Sequence, residues 1–179
     1  MEQRAIRIIG IDPGLRATGW GVIESWGTRI GHIASGTVRP VESETLARRL
    51  CELHRGLSSV IEEFRPDEAA VEETFVNRNP QSALKLGHAR GIALAAPALA
   101  GLSVAEYAAN LIKKTVTGTG HAQKGQVALM VAVLLPGSCA QGADAADALA
   151  VAITHARIRS TAGVFLKREG SRPRLGGRG

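Results

Sequence analysis

An almost uninterrupted apolar run, Ile6-Arg7-Ile8-Ile9-Gly10-Ile11, stops on a single acid, Asp12, before a Pro13-Gly14 turn. A run this rich in isoleucine predicts a strand buried on both faces, and so a strand in the middle of a sheet. A carboxylate at the end of such a strand is costly to bury unless it pairs or binds a cation. Any fold for this chain must therefore cover both faces of the strand and give Asp12 a partner.

The segments that follow supply the covering layers. Gly19 to Ile23 reads as a second strand and Thr28 to Arg39 as a third, with short links that predict an antiparallel meander. Ser43 is placed as the N-cap of a helix, with Glu44 in its first turn. Leu46, Leu50, Leu53, Leu57, Val60 or Ile61 and Phe64 then recur at helical spacing, and Pro66 closes the helix. A short strand over Ala69 to Val71 ends on Glu72 and Glu73. Gln81 to Ala96 reads as a helix whose small apolar residues run nearly all round it, so it lies deep in the fold or against a partner subunit. Pro97 bends or ends it. Leu102 to Ala105 is a fifth strand, Asn110 to Val116 a short helix or turn, and Gln123 to Leu135 and Ala143 to Arg157 two further helices. Strands first, then strands alternating with helices, predict an α/β fold with a mixed five-stranded sheet and helices on both faces.

The 179 residues suit one folded domain over residues 1–160 and a basic Gly/Arg-rich tail over 161–179 that is expected to be disordered. Of the net +6 charge, +4 comes from residues 166–179, where Lys167, Arg168, Arg172, Arg174 and Arg178 face only Glu169. A basic balance favours polyanionic partners, nucleic acid first, although a solubilising tail explains it equally well. Cys51 and Cys139 lie far apart and outside metal-ligand spacing, which suggests free thiols in a reducing, cytoplasmic setting. No apolar run is long enough for a membrane span, and the start lacks a signal-peptide pattern.

Four carboxylates stand out by position. Asp12 and Glu72 end two strands that one topology would set side by side. Asp144 and Asp147, three apart at the start of the last helix, share a face that could close over them. Gathered carboxylates repel, and divalent cations relieve that repulsion. An all-oxygen donor set favours Mg²⁺ or Mn²⁺ over zinc. Two such ions about 3.5–4 Å apart would serve phosphoryl displacement. Taken alone, Asp144 with Asp147 fits a helix-start cap better.

Gly118-Thr119-Gly120 is not a Walker loop, because Gly125 follows Lys124 where Ser or Thr is needed. It reads equally as a linker or as a loop whose amides meet backbone phosphates near Lys124. Phe75, in a polar loop with Asn77, Arg78 and Asn79, could stack on an unpaired base, though such a residue more often folds into the core.

GIDPG with TGWGVIE, then VEETF, SALKLGHARG, EYAANLIKKTVTGTG and ADAADALAVAITHARI, in that order, resemble the RuvC family of bacterial Holliday-junction resolving endonucleases. Each motif is weak alone, but the ordered set spans residues 6–158. The resemblance implies an RNase H-like fold and a homodimer. It places the family's catalytic, metal-holding carboxylates on Asp12, Glu72, Asp144 and Asp147, the last of which is His in some members. It puts the DNA-wedging aromatic on Phe75, functional lysines on Lys113 and Lys124, and the dimer contact on the Gln81–Ala96 helix. It further implies two Mg²⁺ per site, with Mn²⁺ able to substitute, a four-way junction as substrate and the RuvAB branch-migration complex as partner. Lys114 and Arg78 join the lysines as candidate phosphate contacts. Gly125 and Pro97 depart from the family pattern.

Two other readings bear weighing. Sugar kinases and actin-like ATPases also open on a strand ending in Asp beside a Gly turn, but 179 residues leave no room for their second domain. A non-catalytic junction-binding protein of the same fold should have lost one or more of the four acids, and all four are present.

Overall fold

The structure, a computed structural model, describes residues 4–73, 80–138 and 142–169, with side chains for all of these except 80, 81, 124 and 162–169. The elements are β1 (Ile6–Asp12), β2 (Thr18–Trp26), β3 (Arg29–Val38), α1 (Leu46–Phe64), β4 (Glu68–Glu73), α2 (Pro80–Leu99), β5 (Ser103–Ala108), α3 (Ala109–Thr117), α4 (Lys124–Leu134) and α5 (Ala143–Glu169). The five strands form one sheet in the order β3-β2-β1-β4-β5. The β1-β2 and β2-β3 pairs are antiparallel, and β4 joins parallel to β1 and β5 parallel to β4. The meander and the mixed sheet are therefore as the sequence predicts, and β1 is the central strand.

Alternation along β1 sorts its side chains between two cores. Ile8 packs with α3, α4 and α5 through Val116, Val127, Val131, Leu149 and Ile153. Ile9 and Ile11 turn the other way, towards α1 and α2 through Leu57, Ile61, Ala93 and Ala96. All three isoleucines are fully buried. Helix α1 contributes Leu53, Leu57, Val60 and Ile61 to its side of the sheet, each worth about 1.5–3 kcal/mol of burial. Trp20 on β2 meets Phe64 at the end of α1, with ring centroids 5.7 Å apart.

Several boundaries differ from the sequence reading. The N-cap of α1 is Thr45, whose hydroxyl accepts from the Arg48 amide at 3.4 Å, and not Ser43; Glu44 therefore precedes the helix. Pro97 lies inside α2, which runs on to Leu99. A proline this close to the end removes one helical N–H, and the last turn is held instead by Ala100 N–H to Ala96 O (3.3 Å) and Leu102 N–H to Pro97 O (3.1 Å). Helix α5 continues past Arg157 to Glu169, so the first nine residues assigned to the tail extend this helix. Residues 170–179 lie outside the described residues. Pro66 does follow the end of α1, where Arg65 takes a left-handed conformation (φ 47°) and its N–H closes on Ile61 O.

Candidate active site

Strand periodicity decides where the first two acids point. Ile8, Gly10 and Asp12 share the α5 face of β1, and Ala70 and Glu72 share that face of β4. Ile11 pairs with Val71, so Asp12 and Glu72 come next to one another at the carboxyl ends of two adjacent parallel strands. This is the end of an α/β sheet where ligands bind.

The last helix is brought to that end by glycines. Gly10 pairs with Gly21 and Asp12 with Gly19, which puts Gly10, Gly19 and Gly21 on the α5 face. A Cβ on Gly10 would lie 2.2 Å from the Ala148 carbonyl oxygen, and one on Gly21 2.6 Å from Leu149 Cδ2. A Cβ on Gly19 would lie 2.0 Å from the Asp144 carbonyl oxygen. The strands are thus bare where α5 crosses them, and the first turn of α5 rests on the residue paired with Asp12. Asp147 follows Asp144 by three residues, on the same side of the helix. The Pro13-Gly14 turn after Asp12 is pinned by Thr18, whose hydroxyl donates to Gly14 O at 2.7 Å and accepts from Gly14 N–H at 3.2 Å.

Arg39 is a site residue that the sequence reading missed. It follows the end of β3, whose Val38 pairs with Thr18, and its Nη2 donates to Asp144 Oδ2 at 3.0 Å. A cation at the acidic end was readable only once β3 was known to finish there. The three glycines carried a weak signal, since glycine inside a strand often marks a close approach by another backbone.

The donor chemistry at this end, carboxylate oxygen throughout, suits a hard divalent cation. The backbones of Asp12, Glu72 and Asp144 meet at this end. Among the described residues, however, no three His, Cys, Asp or Glu side chains come together closely enough to hold a metal ion, and Asp144 is turned to Arg39.

The basic candidates sit on neighbouring elements. Glu73 pairs with Ala108, and α3, which starts at the next residue, carries Lys113 and Lys114. Gly118, at φ 85°, caps α3 through its N–H to Lys114 O (2.9 Å). Lys124 is the first residue of α4, behind a capping box of Gln123 and Gln126. Phe75 and Arg78 lie outside the described residues.

A second polar chain runs along the α5 face behind Glu72. Tyr107, paired with Glu72, meets His155 Nδ1 at 2.7 Å; His155 Nε2 meets Glu68 Oε2 at 2.8 Å; and Arg159 Nε donates to Glu68 Oε1 at 2.9 Å. Burial, and then the Glu68 carboxylate, holds the Tyr107 phenol above its usual range. A neutral phenol donating to Nδ1 leaves the His155 Nε2–H for Glu68, a chain in which each polar atom is satisfied.

A mixed five-stranded sheet with carboxylates on two adjoining strand ends and on one covering helix is the RNase H-like arrangement of nucleases. The family model described as "Crossover junction endodeoxyribonuclease RuvC" matches residues 8–155. A protein of that description from Methylocella silvestris is 68% identical over 161 residues, covering 90% of this chain and 92% of its own length. One from Azorhizobium caulinodans is 62% identical over 162 residues, covering 90% of this chain and 96% of its own. The structure of Thermus thermophilus RuvC in complex with Holliday junction substrate superposes with a TM-score of 0.80 at 34% identity, covering 88% of this chain and 96% of that one. The yeast mitochondrial Holliday junction resolvase shares the fold, with a TM-score of 0.67 at 12% identity. This chain belongs to the RuvC family of crossover junction endodeoxyribonucleases.

Proposed function

We propose that this chain resolves four-way DNA junctions by paired, symmetric nicks in recombination and repair. Asp12, Glu72, Asp144 and Asp147 are its catalytic, metal-holding residues. The observation that carries the reading is the meeting of Asp12 and Glu72 on neighbouring strand ends beneath the first turn of α5. Nucleases of this family are metal-dependent, and the all-carboxylate donor set favours two Mg²⁺, with Mn²⁺ as a substitute. When bound, such ions activate water and neutralise charge on the leaving 3′ oxygen, giving 5′-phosphate products. The chain's own part is to hold these carboxylates at fixed positions on a rigid sheet and to draw the phosphate backbone towards them. Lys113, Lys114, Lys124 and Arg78 contact phosphates in this reading, and Phe75 stacks on a base opened at the crossover.

Resolution needs two opposed cuts, which a twofold homodimer supplies with two like sites. Leu84, Gly87 and Gly91 support the dimer: they share an exposed face of α2, and a Cβ on either glycine would meet nothing within 4 Å. The opposite face of that helix is already buried through Ala89, Ala93 and Ala96. The nuclease domain is residues 1–160 in this reading, and the RuvAB branch-migration complex is its partner. No helix among the described residues is long and apolar enough to cross a membrane, and we assign the protein to the cytoplasm.

The direct test is a synthetic four-way junction, labelled on each strand in turn, incubated with Mg²⁺. The expected result is paired nicks in two strands of like polarity, with linear duplex of the same sequence left intact. Equal cutting of junction and duplex would contradict the assignment.

A further inference from the structure

Beside the Asp12 turn the surface opens into a cleft of about 490 Å³ whose walls come from the β1-β2 turn, the approach to α1 with its first turn, and α2. Its charged lining is Arg16, Arg49, Lys85 and one acid, Glu42. Glu42 is taken by Arg16 at 2.9 Å. Arg49 spends one donor on the Leu15 carbonyl (Nη2 to O, 2.8 Å). Among the described residues its buried Nε has no partner and no carboxylate neutralises it. Lys85 is exposed on α2 and likewise has no partner among the described residues. A buried guanidinium N–H left unmatched is costly and asks for an acceptor. Two unneutralised cations in one cleft ask for an anion.

The location says which anion. Arg16 is four residues from Asp12, so a wall of the cleft lies within about 14 Å of the acid along even a fully extended chain. One DNA strand carries a phosphate about every 3.4 Å along the helix axis. A strand held at Asp12 therefore presents another of its phosphates to this cleft within about four nucleotides. We propose that the cleft is a second DNA-backbone subsite, in which Lys85 and Arg49 take a phosphodiester of the strand being cut. It rests on the reading of this chain as a junction endonuclease and adds residues 49 and 85 to its DNA contacts. Guanidinium suits the inner position because its planar donors match phosphate oxygens, while the exposed ammonium acts as a point charge.

The test measures binding of a fluorescent four-way junction by the full chain in EDTA, across a salt series. Arg49 also holds the Leu15 loop, so Lys85→Gln carries the experiment, because it changes an exposed side chain. Arg29→Gln, which removes an equal charge at the opposite end of the β2-β3 hairpin, is the control. Loss of one phosphate contact should weaken junction binding by Lys85→Gln roughly five- to tenfold near 0.1 M salt. It should also reduce the slope of log Kd against log salt by about one. Arg29→Gln should stay within about twofold of wild type, with the same slope. If wild type binds the junction and Lys85→Gln matches it in Kd and slope, the subsite is wrong and the nuclease reading stands. If wild type binds no junction, both fall.

Discussion

The carbonyl oxygen of Asp144 sits where a side chain on Gly19 would begin, only 2.0 Å from an ideal Cβ there. Gly19 is the strand partner of Asp12. One missing methyl group thus sets the height of α5 above the sheet at the point where Asp144 rests on the strand partner of Asp12. Gly19→Ala should push the start of α5 outwards. The expected cost is that of an overpacked core, about 1–3 kcal/mol. In a chain of this size that lowers Tm by about 2–4 °C per kcal/mol. Junction cleavage should fall more than stability does, because the misplacement is concentrated at the site. Thermal melting and cleavage rates, measured together, check this.

Arg39 bears on the same acid. Its pair with Asp144 is partly exposed on both sides, with side chains 63% and 39% accessible, so it contributes about 0–1 kcal/mol to stability. Arg39→Gln should therefore melt within a few degrees of wild type. Freed from the guanidinium, Asp144 is a better cation ligand, and Mn²⁺ binding without DNA should tighten about two- to fivefold by calorimetric titration. Unchanged or weaker Mn²⁺ binding would show that the ion pair does not compete with the metal.

Tyr107 is the only tyrosine in the chain, so its titration can be followed directly by tyrosinate absorbance. Its pKa lies above the usual 10.0 because of burial and then Glu68, and the folded state thus favours the neutral phenol. That contribution is fully present below pH 10 and is lost as pH rises through the folded pKa. The absorbance midpoint should lie above 10 in the native protein and near 10 in denaturant. In Tyr107→Phe the alkaline fall in stability should be shallower. A native midpoint at or below 10 would contradict this account of the Tyr107–His155–Glu68 chain.

Helix α2 offers a test of assembly. Leu84 is 66% exposed on the face that also carries Gly87 and Gly91. Leu84→Arg should shift the sedimenting species from dimer to monomer while leaving the melting of the isolated fold nearly unchanged. Junction nicking should then lose its pairing, with single nicks accumulating.

Much of this architecture is legible in the chain because β1 is so apolar. A strand of isoleucines has to be central, and the acid at its end has to face a covering element. The order of strands and helices follows from period and breakers. The details that escaped depend on contacts distant in sequence. Thr45 takes the α1 cap from Ser43 because the helix starts later than the first acidic residue suggests. Proline 97 fails to end α2, since one lost N–H in a last turn is readily covered. Arg39 could not be assigned to Asp144, 105 residues away, without the β2-β3 register that sets Val38 against Thr18. The glycines of β1 and β2 hint at a close approach, but only the structure shows that α5 makes it.

The central claim is that Asp12 serves chemistry and not binding. It is tested most directly by comparing wild type and Asp12→Asn on one labelled four-way junction, with binding measured in EDTA and cleavage after adding Mg²⁺. The substitution keeps the size of the side chain and removes its charge. The account predicts junction binding within a few-fold of wild type and no detectable nicking by Asp12→Asn at any Mg²⁺ concentration. Nicking by Asp12→Asn near the wild-type rate, or by wild type in EDTA, would contradict it.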